Sequence, residues 1–292
     1  MNWNSINNAL LECGIPIDTT GRPQATGGGD ISAAWKIQTA DGPVFLKTGS
    51  ESAFAMFEAE AEGLRELAGA KAIRVPRVLA VARHDDGTLI AMEWLELGGA
   101  SADTQRILGR QLAEMHRHTQ DRFGWSRDNT IGLTPQHNDY ADRWPDFFRE
   151  QRLEYQLRLA SENGFRGELQ STGQALLEIL DRFFEDHSPD VSLLHGDLWG
   201  GNWSSVNGQP VIFDPAVYYG DRETDLAMTR LFGGFSADFY RAYESSWPLS
   251  EGYEQRITLY QLYHVLNHLN LFGASYLGRA QAMIAKLLRM IA

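Results

Sequence analysis

The sequence predicts an α+β protein in two lobes: a small β-rich lobe over residues 1–95 and a larger, mainly helical lobe over residues 96–292. Three observations carry the prediction. Before residue 95, short apolar runs alternate with turn residues, the pattern of strands and hairpins. After the Gly-rich join near 96–101, the apolar spacing lengthens to that of amphipathic helices. And 43% hydrophobic residues in a chain of 292 are enough to build a sizeable core.

The elements follow in order. Asn4 or Ser5 is placed to cap a short first helix that stops at Gly14. QATGGGD then breaks the pattern with three glycines. ISAAWKIQ and PVFLKT, joined by the turn TADG, read as an antiparallel hairpin. Phe54, Phe57, Ala61, Leu64 and Leu67 recur at helical spacing. VPRVLAVARHDDGTLIAMEWL reads as two strands around DDG. In the second lobe TQRILGRQLAEMHRHT is amphipathic, and WPDFFREQRLEYQLRLASENG is a helix stopped by Asn163 and Gly164. LQSTGQALLEILDRFFEDH is a third helix. The loop LLHGDLWGGN and the short strand PVIFD come next, and helices run from about Glu223 onward.

Composition excludes several classes. The net charge of −12 disfavours a nucleic-acid partner, since phosphate contacts need clustered Lys and Arg. Cys13 is the only cysteine, so an intramolecular disulfide and a cysteine zinc cluster are both excluded. Its expected place is a buried position near the end of the first helix. The first residues lack a basic start and an apolar core, and no stretch nears the ~18 apolar residues of a membrane helix. The expectation is a cytoplasmic protein with no membrane partner.

The chemistry concentrates in HGDLWGGN and VIFDP. Asp197 and Asn202 stand five apart on one loop, and Asp214 follows a short apolar strand. Phosphoryl transfer needs a carboxylate to take the proton of an acceptor hydroxyl. It also needs hard oxygen ligands for magnesium. His-x-Asp-x4-Asn is the spacing of the protein-kinase catalytic loop. Upstream, GGGD (residues 27–30) can cover phosphates with backbone N–H groups. Lys47 lies in the apolar strand VFLKT, where a helix carboxylate could hold it toward the phosphates. Glu58 and Glu60 follow on the next helix, and residues two apart face different sides.

These residues resemble the fructosamine kinase (ketosamine-3-kinase) family, a relative of the aminoglycoside and choline phosphotransferases. The likeness rests on HGDLWGGN with IFDPAVYYGDRETDLAM, MFEAEAEGL, NTIGLTPQHN, RWPDFFREQRLEYQLRLA and LYQLYHVLNHLNLFG, which span nearly the whole chain. It implies a protein-kinase-like fold, ATP and Mg2+ as cofactors, and a small-molecule or protein-bound ketosamine (a ribulosamine, erythrulosamine or fructosamine) phosphorylated on its 3-hydroxyl. Asp197 would be the general base, and Asn202 and Asp214 the metal ligands. Lys47, paired with Glu60, would meet the phosphates beneath Gly27, Gly28 and Gly29. Met92, Glu93 and Leu95 would form the adenine hinge. His195 would organise the loop and Asp225 would brace it. The chain departs from the family at Asp30, where many members have Cys.

For the acceptor, Trp199 is the expected aromatic face, with Asp221, Arg222, Glu223, Gln136 and Asn138, and Thr134 beside them, lining the same cleft. His264 and His268, four apart on an apolar helix, read as core or cleft-wall residues rather than a zinc pair. The expected state is a monomer or weak dimer. Two alternatives stand beside this reading: an aminoglycoside or choline-type phosphotransferase, and a pseudokinase that binds nucleotide without catalysis.

Overall fold

The computed structural model describes residues 1–18, 21–27 and 32–291. Helix α1 (Trp3–Glu12) opens the chain. Its cap is Asn2, whose side chain accepts the Ser5 N–H at 3.2 Å, rather than Asn4 or Ser5. Ser5 is inside the helix, where its hydroxyl accepts the Asp85 N–H at 2.8 Å. Cys13 is exposed, which corrects the expectation of burial. The helix ends at Glu12, so Cys13 has left the buried stripe of Ile6, Ala9 and Leu10.

Strands β1 (Gln24–Thr26), β2 (Ala33–Thr39) and β3 (Gly42–Gly49) come next. Helix α2 (Phe54–Gly69) then leads to β4 (Val78–His84) and β5 (Gly87–Glu93). They form one antiparallel sheet in the order β1-β2-β3-β5-β4. β1 lies where a pattern break was expected: three residues on a sheet edge, pairing Gln24 with Lys36, are too few to show alternation. β5 is covered on both faces. Leu89 and Ala91 join Ile6 and Leu10 of α1, while Ile90 and Met92 join Phe57, Leu64 and Leu67 of α2. That explains its continuous apolar run, and each fully buried Leu or Ile here contributes about 2 kcal/mol.

The second region is built on helices. α3 (Ala102–His116) is capped by Ser101, whose hydroxyl accepts the Thr104 N–H at 3.1 Å. A short hairpin follows, β6 (Asn129–Ile131) and β7 (Thr134–Gln136). The helix expected across 144–163 forms in three pieces: α4 (Trp144–Phe147), a π-helical segment Phe148–Glu154, and α5 (Tyr155–Glu162). Gly164, at φ 92, turns the chain at its end. Then come α6 (Glu168–Glu178), β8 (Ser192–Leu194), β9 (Trp203–Val206), β10 (Gln209–Ile212) and β11 (Tyr218–Gly220). Four helices close the chain: α7 (Glu223–Leu231), α8 (Ala237–Ser246), α9 (Tyr253–Phe272) and α10 (Leu277–Ile291). Most of α9 is buried, and it packs against α5, α7 and α10. Among the described residues, no helix is long and apolar enough to cross a membrane.

Candidate active site

The loop after β8 owes its position to the strands around it. β8 pairs with β11, Leu194 opposite Tyr218 and Leu193 opposite Tyr219, which buries both leucines completely. Gly196 then turns at φ 82. A Cβ there would collide with the Ala216 carbonyl, so the residue must be glycine on two counts. The β9–β10 hairpin returns the chain so that the Phe213 N–H reaches Asn202 O at 3.0 Å. Asp214 follows at φ 55, an uncommon conformation for a residue with a side chain.

Asp225, on α7, receives the N–H groups of His195 (2.8 Å) and Gly196 (2.9 Å) on its two carboxylate oxygens. Burial alone would raise its pKa, but His116, 3.2 Å away, and then the His195 ring and the Gly196 N–H hold it below the usual carboxylate value. His195 is fully buried, and burial lowers its pKa. Its Nε2–H donates to Phe213 O at 3.0 Å, and its Nδ1 accepts the Asp197 N–H at 3.2 Å. One neutral tautomer thus ties the two loops together.

Asp197, Asn202, Asp214, Lys47 and Glu60 line one cleft of about 1110 Å³. Lys47 Nζ is 2.6 Å from Glu60 Oε1 and 2.6 Å from Asp214 Oδ1. Glu58 turns away, to Arg127 at 4.0 Å, so Glu60 is the partner. Burial would lower the pKa of Lys47, but the two carboxylates outweigh it and hold the ammonium well above its ordinary value. Asp197 is pushed up to about 7, first by burial and then by the charge of Asp214, against a stabilising hydrogen bond from Asn202. The Asn202 amide N–H2 faces Asp197 O at 2.9 Å, Asp197 Oδ2 at 3.3 Å and Asp214 O at 3.4 Å. Its Oδ1 has no hydrogen-bond partner among the described residues. A free amide oxygen beside a carboxylate is a hard-oxygen pair that suits magnesium.

At the sheet end, Gly27, Met92, Glu93 and Leu95 line the same cleft. Gly28, Gly29 and Asp30 lie outside the described residues. At the helical end, Trp199 is 40% exposed, with its ring over Gly201. Asn129, Phe232, His268, Phe272 and Tyr276 complete that wall. His268 belongs to the cleft and His264 to the core, where burial drives the latter's pKa down to about 3. No third ligand joins them among the described residues.

The other residues expected to line the acceptor cleft stand elsewhere. Asp221 and Glu223 are fully buried. Asp221 takes His187 Nε2 at 2.6 Å, and Glu223 binds Arg256 through two hydrogen bonds of 2.7 and 2.9 Å. Glu223 thereby joins α7 to α9, and Asp221 ties the start of α7 to His187, as buried carboxylates with matched partners do. Arg222 lies 4.0 Å over the Trp247 ring and donates to Tyr243 Oη at 3.0 Å. Gln136, Asn138 and Thr134 are buried one layer behind the cleft. A single sequence shows that these groups are polar, but not which way they face. Asn129, Phe232, Phe272 and Tyr276 were not anticipated. Phe272 was the most accessible of them, since it follows His268 at i+4.

Known proteins resemble the chain along nearly its whole length. The profile of the family described as fructosamine kinase matches residues 2–290. A probable ketoamine kinase of Synechocystis is 42% identical over 99% of this chain and 97% of its own. The chloroplastic protein-ribulosamine 3-kinase of Arabidopsis thaliana is 43% identical, over 91% of this chain and 82% of its own. A crystal structure of a candidate fructosamine-3-kinase from Haemophilus somnus superposes with a TM-score of 0.88 at 30% identity, covering 98% of this chain and 97% of the other.

Proposed function

The chain belongs to the fructosamine kinase family, and from that premise we propose that it transfers the γ-phosphoryl group of ATP to the 3-hydroxyl of a ketosamine. The observation that carries the reading is the convergence of Asp197, Asn202, Asp214 and the Lys47–Glu60 pair on one cleft whose far wall is aromatic. In this reading the hinge residues Met92, Glu93 and Leu95 hold adenine, with Gly27, Gly28 and Gly29 over the phosphates.

Lys47, fixed by Glu60, meets the phosphate oxygens. Its raised pKa keeps it cationic at any working pH. Asn202 Oδ1 and Asp214 would hold magnesium, which supplies charge neutralisation at the phosphates when bound. Asp197 accepts the proton of the attacking hydroxyl. A carboxylate with a pKa of about 7 is a better base at neutral pH than an ordinary aspartate. Most of the acceleration then comes from alignment and fixed charge, as in other phosphoryl transfers. Trp199 offers its face to the sugar and the attached amine.

The test uses a ribulosamine or fructosamine of Nα-acetyl-lysine with labelled ATP. The expected product carries phosphate at O3, and Asp197→Ala abolishes it while the protein stays folded. Phosphorylation of aminoglycosides or choline but no ketosamine would favour the alternative acceptors. Nucleotide binding with no acceptor turned over would favour the pseudokinase.

A further inference from the structure

The stretch from Thr134 to Arg152 includes TPQHN and FFREQRL but gives no side chain to the cleft. It holds an unusual charge. Arg152 is fully buried in the π-helical segment, together with Phe148 and Leu153. No carboxylate lies within ion-pair reach of it among the described residues. Its Nη1 donates to His137 O at 2.5 Å and Gln151 O at 3.1 Å, and its Nη2 to Asn138 Oδ1 at 2.8 Å. Its Nε has no partner. The rings of Tyr218 and Phe147 lie 4.1 and 4.7 Å from the guanidinium carbon.

Burying a charge costs several kcal/mol, and an apolar side chain of similar volume often folds as well or better. Stability therefore gives a weak reason for an arginine here. What a guanidinium has and an apolar group lacks is direction: it only donates. Asn138 must present its oxygen to Arg152. Its N–H2 then donates to Asn129 Oδ1 at 3.1 Å. Asn129 Oδ1, which also accepts Gln136 Nε2 at 2.8 Å, is thereby taken up, and Asn129 points its own N–H2 at Val217 O, at 2.7 Å. Beside this chain, the Tyr263 hydroxyl donates to Gln136 Oε1 at 2.6 Å, and Gln136 Nε2 donates to Ala216 O at 3.1 Å.

The relay ends next to the strained residue of the site. From Phe213 to Val217 every carbonyl except that of Pro215 is held by a side chain. His195 holds Phe213 and Asn202 faces Asp214, while Gln136 holds Ala216 and Asn129 holds Val217. A non-glycine residue at φ 55 carries strain of order 1 kcal/mol, and at Asp214 these buried contacts offset it.

We propose that Arg152 is a positioning residue for Asp214: by fixing the donor direction of the Asn138–Asn129 relay, it holds the Val217 carbonyl and, with Gln136 on Ala216, the strained conformation that presents the Asp214 carboxylate. This rests on reading the cleft as a magnesium–nucleotide site.

The test compares Arg152→Met, Arg152→Lys and Asn138→Asp with the unaltered protein. One readout is the melting temperature alone, with ADP, and with ADP plus Mg2+. The other is the rate of ketosamine phosphorylation against Mg2+ concentration. Arg152→Met should keep the shift given by ADP alone and lose most of the extra shift given by Mg2+. Its kcat should fall about 10- to 100-fold, the usual effect of removing a group that orients a metal ligand. Arg152→Lys should recover part of both readouts, because an ammonium also only donates. Asn138→Asp keeps the arginine's partner but cannot donate to Asn129, so it should match Arg152→Met.

Unchanged magnesium dependence and kcat in either Arg152→Met or Asn138→Asp overturns the proposal. If Arg152→Met does not fold, Asn138→Asp and Arg152→Lys decide. An unaltered protein with no magnesium-dependent shift would instead overturn the reading of the cleft itself.

Discussion

Lys47 Nζ stands 2.6 Å from Asp214 Oδ1, so the ammonium of β3 holds the carboxylate of the loop after β10 directly. The same ammonium is 2.6 Å from Glu60 on α2, and one charge thereby ties three elements together at the mouth of the cleft. Lys47→Met leaves Glu60, which is 12% exposed, without its cation. The variant should lose about 3–5 kcal/mol of stability, as removing one member of a buried pair does. Ketosamine phosphorylation should fall at least about 100-fold, or roughly 3 kcal/mol of transition-state stabilisation. Adding Glu60→Gln should restore part of the stability and none of the activity. Urea melts and initial rates on the single and double variants check both halves.

Asp197 carries a testable pH dependence. Burial and Asp214 raise its pKa from 3.8 to about 7, so the folded state binds this proton more tightly than the unfolded chain does. Its contribution to stability is full below 3.8 and is lost as pH rises through about 7. Asp197→Asn does not titrate. It should therefore gain stability over the unaltered protein between those values and hold a constant advantage above them. Phosphorylation should show the opposite trend, rising with pH as the base form appears. A stability difference flat from pH 4 to 8 would show that the carboxylate is ordinary.

The loop that carries Asp197 depends on Gly196. Gly196→Ala brings a Cβ against the Ala216 carbonyl at φ 82, and a backbone atom cannot swing aside as a side-chain tip can. We expect a loss of at least about 3 kcal/mol, by strain and steric conflict together. Asp225→Asn tests the brace from the other side. An amide can still accept one of the two loop N–H groups, but it turns its N–H2 toward the other. The expected result is a folded protein with kcat reduced about 10- to 100-fold and nucleotide affinity nearly unchanged. Melting curves, turnover and nucleotide titrations separate the two outcomes.

What the sequence revealed depended on whether a residue acts through its type or through its direction. Asp197, Asn202 and Asp214 were legible as a group because one loop and the turn after one short strand leave few ways to arrange them. The choice between Glu58 and Glu60 was not legible, because either could face the sheet until the rotation of α2 was known. Asp221 and Glu223 were misread as cleft residues for the same reason: a carboxylate near a site looks identical whether it faces solvent or, as here, Arg256 and His187. β1, β6, β8 and β11 are three residues each, too short for a period to register. The π-helical turn around Arg152 left no mark either, since its apolar residues remain compatible with an ordinary helix.

Trp199 gives the sharpest test of the acceptor site. It is 40% exposed, so Trp199→Ala should cost about 1–2 kcal/mol of stability and leave the protein folded. If its ring is the face on which the sugar and amine rest, KM for the ketosamine should rise about 10-fold while KM for ATP stays constant. Gly201 supplies an independent variant. The ring lies over Gly201, and a Cβ there would displace it without removing it. Gly201→Ala should therefore reproduce the acceptor defect of Trp199→Ala, and the double variant should be no worse than either single one. Additive effects of the two substitutions would mean that Gly201 acts through the loop backbone and not through the indole.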